Sequence, residues 1–256
     1  MNIYRLPCLL FCFFSLSACV FLDIACQDTA VPLHPKKINA SLHLTNAVNI
    51  SHTYYENTVE DPEPNRIPQT PLLGTKALIG ISPEADLVLN LACGSGTSRI
   101  SLFDSSTTST TTRWESFHLK LGVKYLLSQK GKSYVSVLPS LYLANALDSG
   151  TRWSNQDYKF KYNAKGIEGQ LLITHLASKH FNATLAGRIQ ANHVQKILDG
   201  ERYGPHFTAN YGIRGNVQIS AGPIYLMPEF GMELMPIVNG SSDIVPIVSL
   251  GFGVSL

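Results

Sequence analysis

Ile247 to Leu256 reads IVSLGFGVSL. From Val248 every second residue is apolar (Val248, Leu250, Phe252, Val254, Leu256), and the residues between are small or polar (Ser249, Gly251, Gly253, Ser255). A period of two sends alternate side chains to opposite faces of an extended chain, so this segment predicts a β-strand with one apolar face and one narrow polar face.

The same alternation recurs upstream. Its clearest instance is Ser116 to Ser128, where Phe117, Leu119, Leu121, Val123, Tyr125 and Leu127 alternate with Ser116, His118, Lys120, Gly122, Lys124 and Ser128. A helix would place Lys120 and Lys124 one turn apart but scatter the apolar set around its cylinder, so a strand is predicted. Ten strands are predicted in all, beginning near Ile38, Leu73, Leu87, Ser116, Val135, Tyr158, Phe181, Phe207, Ile224 and Ile247. The Gly94-Ser95-Gly96 patch and a slip of phase near Gly166 predict bulges. Loops are predicted at the proline-rich Tyr55 to Pro71, the low-complexity Ser105 to Thr112, Asp148 to Asp157, Lys196 to His206 and Asn239 to Asp243. Connections after odd-numbered strands are therefore mostly long, and those after even-numbered strands short. Membrane barrels show this asymmetry, and an even count puts both chain ends on the side of the short turns.

The last eight residues also follow the order polar, any, Gly, any, any, apolar, any, apolar, filled by Ser249, Gly251, Val254 and Leu256. This resembles the C-terminal β-signal of bacterial outer-membrane β-barrel proteins, although the family usually ends on an aromatic residue and this chain ends on Leu256. The resemblance implies an all-β, antiparallel transmembrane barrel of about ten strands, with eight as the alternative if the first hairpin is peripheral. It implies a location in the bacterial outer membrane, with outer-membrane lipid and the barrel assembly machinery as partners.

Composition agrees. The chain has 256 residues and an ordinary hydrophobic fraction of 45%, but only 15% charged residues against a usual value of about 25%. After the leader there is no apolar run of about 18 residues, as expected where alternation disperses the apolar set. A net charge of +2 gives no reason to expect nucleic acid.

The amino terminus carries Arg5, an apolar stretch from Leu6 to Phe14, then Leu16-Ser17-Ala18-Cys19. Such a run is too short for an anchor and reads as a secretory leader. The tetrad resembles a bacterial lipobox, which implies acylation of Cys19. Residues 1–18 are then a signal peptide, 19–37 a periplasmic tether whose VPLHPKK end is set by Pro32 and Pro35, and 38–256 the barrel. Cys26 and Cys93 could pair in an oxidising periplasm, or Cys93 could be a small apolar residue on a strand face.

If the apolar face meets lipid, the other face lines the lumen. Lys76, Lys120, Lys124, Arg188 and Arg214 are its predicted cations, Glu168, Glu229 and Glu233 its carboxylates, and His118 joins them. This cluster reads either as a salt-bridged filling or as a charged constriction with a slight basic excess. No metal spacing, phosphate loop or dinucleotide fingerprint is present, and no cofactor is expected. Ten-stranded surface proteases use paired aspartates and an Asp-His pair at the rim. Asp199 with His206 is the nearest pair here, and His118 is the best-placed candidate base for a lipase-like site. Neither forms a recognisable motif, so the reading is a non-enzymatic barrel presenting polar surface loops. A small channel with a charged lumen and a soluble lipid-anchored β-domain binding an apolar ligand are the alternatives. The external partner is left open by the sequence.

Overall fold

A computed structural model describes residues 21–22, 27–49, 69–101, 109–151, 157–236 and 242–256. Its strands are β1 (Phe21–Leu22), β2 (Ile38–Asn49), β3 (Gln69–Gly80), β4 (Ala85–Ser101), β5 (Ser109–Lys130), β6 (Ser133–Thr151), β7 (Asp157–Ser178), β8 (Phe181–Leu198), β9 (Glu201–Ala221), β10 (Ile224–Pro236) and β11 (Ser242–Ser255). Strands β2 to β11 are the ten predicted ones in order. Each pairs antiparallel with its sequence neighbours, and β2 pairs with both β3 and β11, so the sheet closes into a ten-stranded barrel. The eight-stranded alternative falls, because the first hairpin, β2 with β3, carries part of the closing ladder. The chain's end completes the seam: Leu256 N–H donates to Ile38 O at 2.8 Å, and Ile38 N–H donates to Leu256 O at 3.2 Å.

The outer wall is apolar around the whole circumference. Leu42, Leu73, Leu89, Leu121, Leu141, Leu171, Leu185, Ile213, Phe230 and Phe252, one from each of β2 to β11, are between 43% and 65% exposed. Soluble proteins do not leave a continuous belt of this size in water, whereas a closed strand ladder satisfies every backbone group and tolerates hydrocarbon outside. This is the architecture of a transmembrane β-barrel.

Strand lengths exceed what a bilayer needs. β5 and β7 have 22 residues each, while about 9–11 tilted residues cross the hydrocarbon. The surplus projects at the end opposite the short turns. On β7 the outward positions change there from Ile167, Leu171 and Ile173 to Lys159, Lys161, Asn163 and Lys165, while Phe160 and Tyr162 turn inward and are buried. Outside the belt the exterior meets water, so the apolar alternation changes faces without any change of backbone register. This accounts for the apparent slip near Gly166, where the ladders to β6 and β8 run unbroken. The Gly94–Gly96 bulge is likewise absent, since those residues pair continuously with Ser116 to Trp114. Register shifts lie elsewhere, at Leu126/Ser128, Leu176/Ser178 and Val194/Lys196.

All five predicted loops shrink, Asp148–Asp157 losing Asp148–Thr151 to β6 and Asp157 to β7, and Asn239–Asp243 losing Ser242 and Asp243 to β11. Gln69–Pro71 belongs to β3, Ser109–Thr112 to β5, and Lys196–His206 resolves into strand ends around a turn at Asp199-Gly200. Both turn residues have positive φ, 51° and 93°, as a tight type I′ hairpin requires of an Asp-Gly pair. The rest of Tyr55–Pro71, and most of the connections at 102–108, 152–156 and 237–241, lie outside the described residues. At the other end the links are short: Ile81–Glu84, Gly131–Lys132, Lys179–His180 and Gly222–Pro223. Cys93 is a free thiol exposed on the outer face of β4, and Cys26 lies outside the described residues.

Candidate functional site in the barrel bore

All nine residues predicted to line the lumen, Lys76, His118, Lys120, Lys124, Glu168, Arg188, Arg214, Glu229 and Glu233, are buried, none more than 6% exposed. Inward alternation on β3, β5, β7, β8, β9 and β10 places them. An eight-stranded barrel is just filled by its own side chains, and the diameter grows with strand number, so ten strands leave cross-section to occupy. The structure fills it in two ways.

The first is a chain of ion pairs across five strands. Lys120 Nζ lies 3.0 Å from Glu168 Oε1, Arg188 Nε donates to Glu168 Oε2 at 2.7 Å, Arg188 Nη1 lies 2.9 Å from Glu233 Oε1, and Arg214 Nη2 lies 2.5 Å from Glu233 Oε2. Gln170 Nε2 adds a bond to Glu168 Oε1 at 2.5 Å. Desolvated charges persist only with such pairing and further hydrogen bonds. His118 packs its ring on Tyr142, with centroids 5.5 Å apart, so it is part of this packed layer and far from the rim where an enzyme would meet a substrate.

The second filling is the chain's own amino-terminal segment. Gln27 to Leu33 runs inside the bore without regular secondary structure, with Gln27 at φ 46° and a bend at Ala30, and inward side chains hold its backbone. Gln27 N–H donates to Glu229 Oε2 at 2.7 Å, Ala30 N–H to Thr174 Oγ1 at 2.7 Å, and Leu33 N–H to Asp86 Oδ1 at 3.0 Å. In return Lys76 Nζ donates to Gln27 O at 3.1 Å, Asn216 Nδ2 to Asp28 O at 2.9 Å, Ser136 Oγ to Ala30 O at 2.6 Å, and Lys124 Nζ to Val31 O at 2.9 Å. These seven partners come from seven strands, β10, β7, β4, β3, β9, β6 and β5. A backbone removed from water must find such partners group by group. Asp28 forms an ion pair with Lys76, Ala30 packs with Leu172 and Ala186, and Leu33 packs on Leu78, Val88 and Leu138.

The tether reading of residues 19–37 thus changes for its second half. Polar residues next to two prolines suggest exposed chain, but here their partners lie on strands distant in sequence. Two luminal carboxylates were missed with it. Asp28 sits in that segment, and Asp86 is buried on β4, 2.8 Å from Lys124 Nζ. Among the described residues the buried bore then holds five cations (Lys76, Lys120, Lys124, Arg188, Arg214) against five carboxylates (Asp28, Asp86, Glu168, Glu229, Glu233). The expected basic excess disappears.

The final strand is fitted to this occupant. Ser249 accepts a bond from Gln27 Nε2 at 2.8 Å and shares another with Thr45 Oγ1 at 2.9 Å. A Cβ built at Gly251 would run into the Gln27 amide, so glycine makes the hollow in which Gln27 lies. Val254 and Leu256 point away from the bore, with Leu256 65% exposed. Gly251→Ala is expected to cost about 1–3 kcal/mol through overpacking, and adding Gln27→Ala should recover most of it. Urea unfolding of the single and double variants measures the coupling. Full additivity would mean that Gly251 acts only as part of an assembly signal. Cys19 and the leader lie outside the described residues.

Asp199 caps the β8–β9 turn by accepting from Lys159 N–H at 2.7 Å. Among the described residues no group of three or more His, Cys, Asp or Glu side chains could hold a metal ion.

No known family pattern matches the chain, and no curated protein sequence matches it either. Solved structures do. The outer membrane protease OmpT from Escherichia coli is 11% identical with a TM-score of 0.49, the match covering 89% of this chain and 98% of that one. The translocator domain of the autotransporter NalP from Neisseria meningitidis is 10% identical with a TM-score of 0.49, covering 86% and 87%. Ail, the attachment invasion locus protein of Yersinia pestis, is 8% identical with a TM-score of 0.35, covering 87% and 99%. All three TM-scores are below 0.5, so the barrel assignment rests on the closed strand ladder itself.

Proposed function

We propose that this chain is a non-enzymatic barrel of the bacterial outer membrane, sealed by its own amino-terminal segment, that serves to present polar structure on the cell surface. The observation that carries this reading is the pairing of a complete apolar belt with a filled, charge-balanced bore. The belt requires lipid outside. The filling leaves the projecting ends of β4 to β9, with their connections, as the part available to partners, and no partner is specified by them.

A soluble lipid-anchored domain binding an apolar ligand would need apolar side chains inside and polar ones outside, the reverse of what the strands carry. An open anion channel would need unfilled cross-section and a net positive lining, and the bore has neither among its described residues.

Two measurements test the membrane reading. Detergent-extracted protein should migrate differently on SDS gels unheated and boiled, because a closed barrel resists SDS at room temperature; identical mobility, with the protein recovered in the aqueous fraction, would refute it. Leu121 lies midway along the apolar face of β5 from Phe117 to Leu127. Leu121→Arg should cost about 2–4 kcal/mol in liposomes, measured by chemical unfolding, and a neutral effect would place that position outside hydrocarbon.

A further inference from the structure

The short-turn end of the barrel is where the amino-terminal segment enters. Lys36 N–H donates to Gly80 O at 3.0 Å and Gly80 N–H to Lys37 O at 2.9 Å, beside the β3–β4 turn. Moving toward the amino terminus, Leu33 bonds Asp86, two residues inside that turn, and Ala30 bonds Thr174. Gln27 bonds Ser249, which pairs with Thr45 well up β2. The described chain resumes at β1, where Phe21 pairs with Asn49 and Leu22 with Val48. Those partners end β2 at the long-connection rim. β11 leaves that edge of β2 at Thr45, and β1 takes the place above it.

From these positions we infer that the amino-terminal segment crosses the barrel from end to end, so that Phe21 and Leu22 lie at the rim of the projecting strands while Leu256 stays at the short turns. The even strand count had suggested both ends on one side, but it counts only wall strands, and the bore carries a further crossing. Length permits it. Twelve residues of β2 span the barrel wall from Ile38 to Asn49, and the sixteen residues from Leu22 to Lys37 can span the same height at about 3.3 Å each. Every bonded group from Gln27 to Leu33 lies in order along this path. With the barrel oriented as proposed above, Phe21 and Leu22 lie at the outer surface. The inference rests on that orientation only for the words outer and inner.

The test uses the full chain in a Gram-negative host with all five native cysteines (Cys8, Cys12, Cys19, Cys26 and Cys93) replaced by Ser, carrying one of three probes: Phe21→Cys, Arg202→Cys at the projecting end, or Lys132→Cys in the β5–β6 short turn. A membrane-impermeant maleimide is applied to intact and to lysed cells. Phe21→Cys and Arg202→Cys should label in intact cells, and Lys132→Cys only after lysis. Phe21→Cys behaving as Lys132→Cys would overturn the crossing. If Lys132→Cys labels in intact cells and Arg202→Cys does not, the membrane orientation fails while the crossing stands or falls on which probe Phe21→Cys follows. Should Phe21→Cys be shielded throughout, the pair Phe21→Cys with Asn49→Cys decides. Opposed Cα atoms on antiparallel strands are within disulfide reach, so oxidation should consume both thiols, and two free thiols would overturn the inference.

Discussion

Deleting Gln27 to Leu33 is expected to turn an electrically silent barrel into a conducting one. The segment occupies cross-section that ten strands cannot fill with their own side chains, and no compensating group replaces it. Its removal leaves Lys76, Lys124, Glu229 and Asp86, which now hold that segment, facing water. It also removes Asp28, so the five carboxylates of the described bore become four against five cations. Planar bilayer recordings should therefore show stepwise openings with a reversal potential shifted toward anions, where the intact chain shows a closed baseline. The gel shift on boiling checks that the shortened chain still forms a barrel. A folded deletion variant that stays silent would mean that the ion-pair layer alone closes the bore. Comparable conductance from the intact chain would mean that the segment does not occlude it.

Glu233→Ala should be strongly destabilising. Its carboxylate accepts from both Arg188 and Arg214, and each of those guanidinium groups is almost fully buried. Removing one member of a buried pair leaves an uncompensated charge and costs about 3–5 kcal/mol. Glu115→Ala breaks the Arg113–Glu115 pair, of similar length at 2.8 Å but exposed on both sides, and should cost less than about 1 kcal/mol. Unfolding in urea from detergent or liposomes separates the two. Equal, small losses would show that water reaches the Glu233 layer, contrary to the filled bore.

The belt strands were legible in the sequence because hydrocarbon forces apolar residues onto every second position, as from Phe117 to Leu127. The luminal charges were legible by the same alternation, which is why Lys76, Lys120, Lys124, Glu168, Arg188, Arg214, Glu229 and Glu233 could be named from pattern. Pattern does not say what they hold. Lys76, Lys124 and Glu229 hold a segment more than forty residues away in sequence, and no local rule links Asp28 to Lys76 or Gln27 to Ser249. Pattern also misleads where the environment changes along one strand. Above the belt Phe160 and Tyr162 face inward and Lys159, Lys161 and Lys165 outward, so a continuous strand read as a bulge. The polar ends of β5, β8 and β9 read as loops for the same reason. The Asp199-Gly200 pair was the available signal for a tight hairpin, and its polar flanks concealed it.

Occupation of the bore by residues 27–33 can be measured by a single covalent trap. Ala30 and Ala186 share one buried cluster inside the barrel, although one belongs to the amino-terminal segment and the other to the inner face of β8. In a chain with all five native cysteines replaced by Ser, Ala30→Cys and Ala186→Cys should oxidise to a disulfide in the assembled barrel. A thiol-reactive polymer added after denaturation should then fail to shift both positions, and reduction should restore both shifts. Two reactive thiols in a correctly folded, heat-modifiable barrel would contradict the account, because the segment would then lie outside the bore.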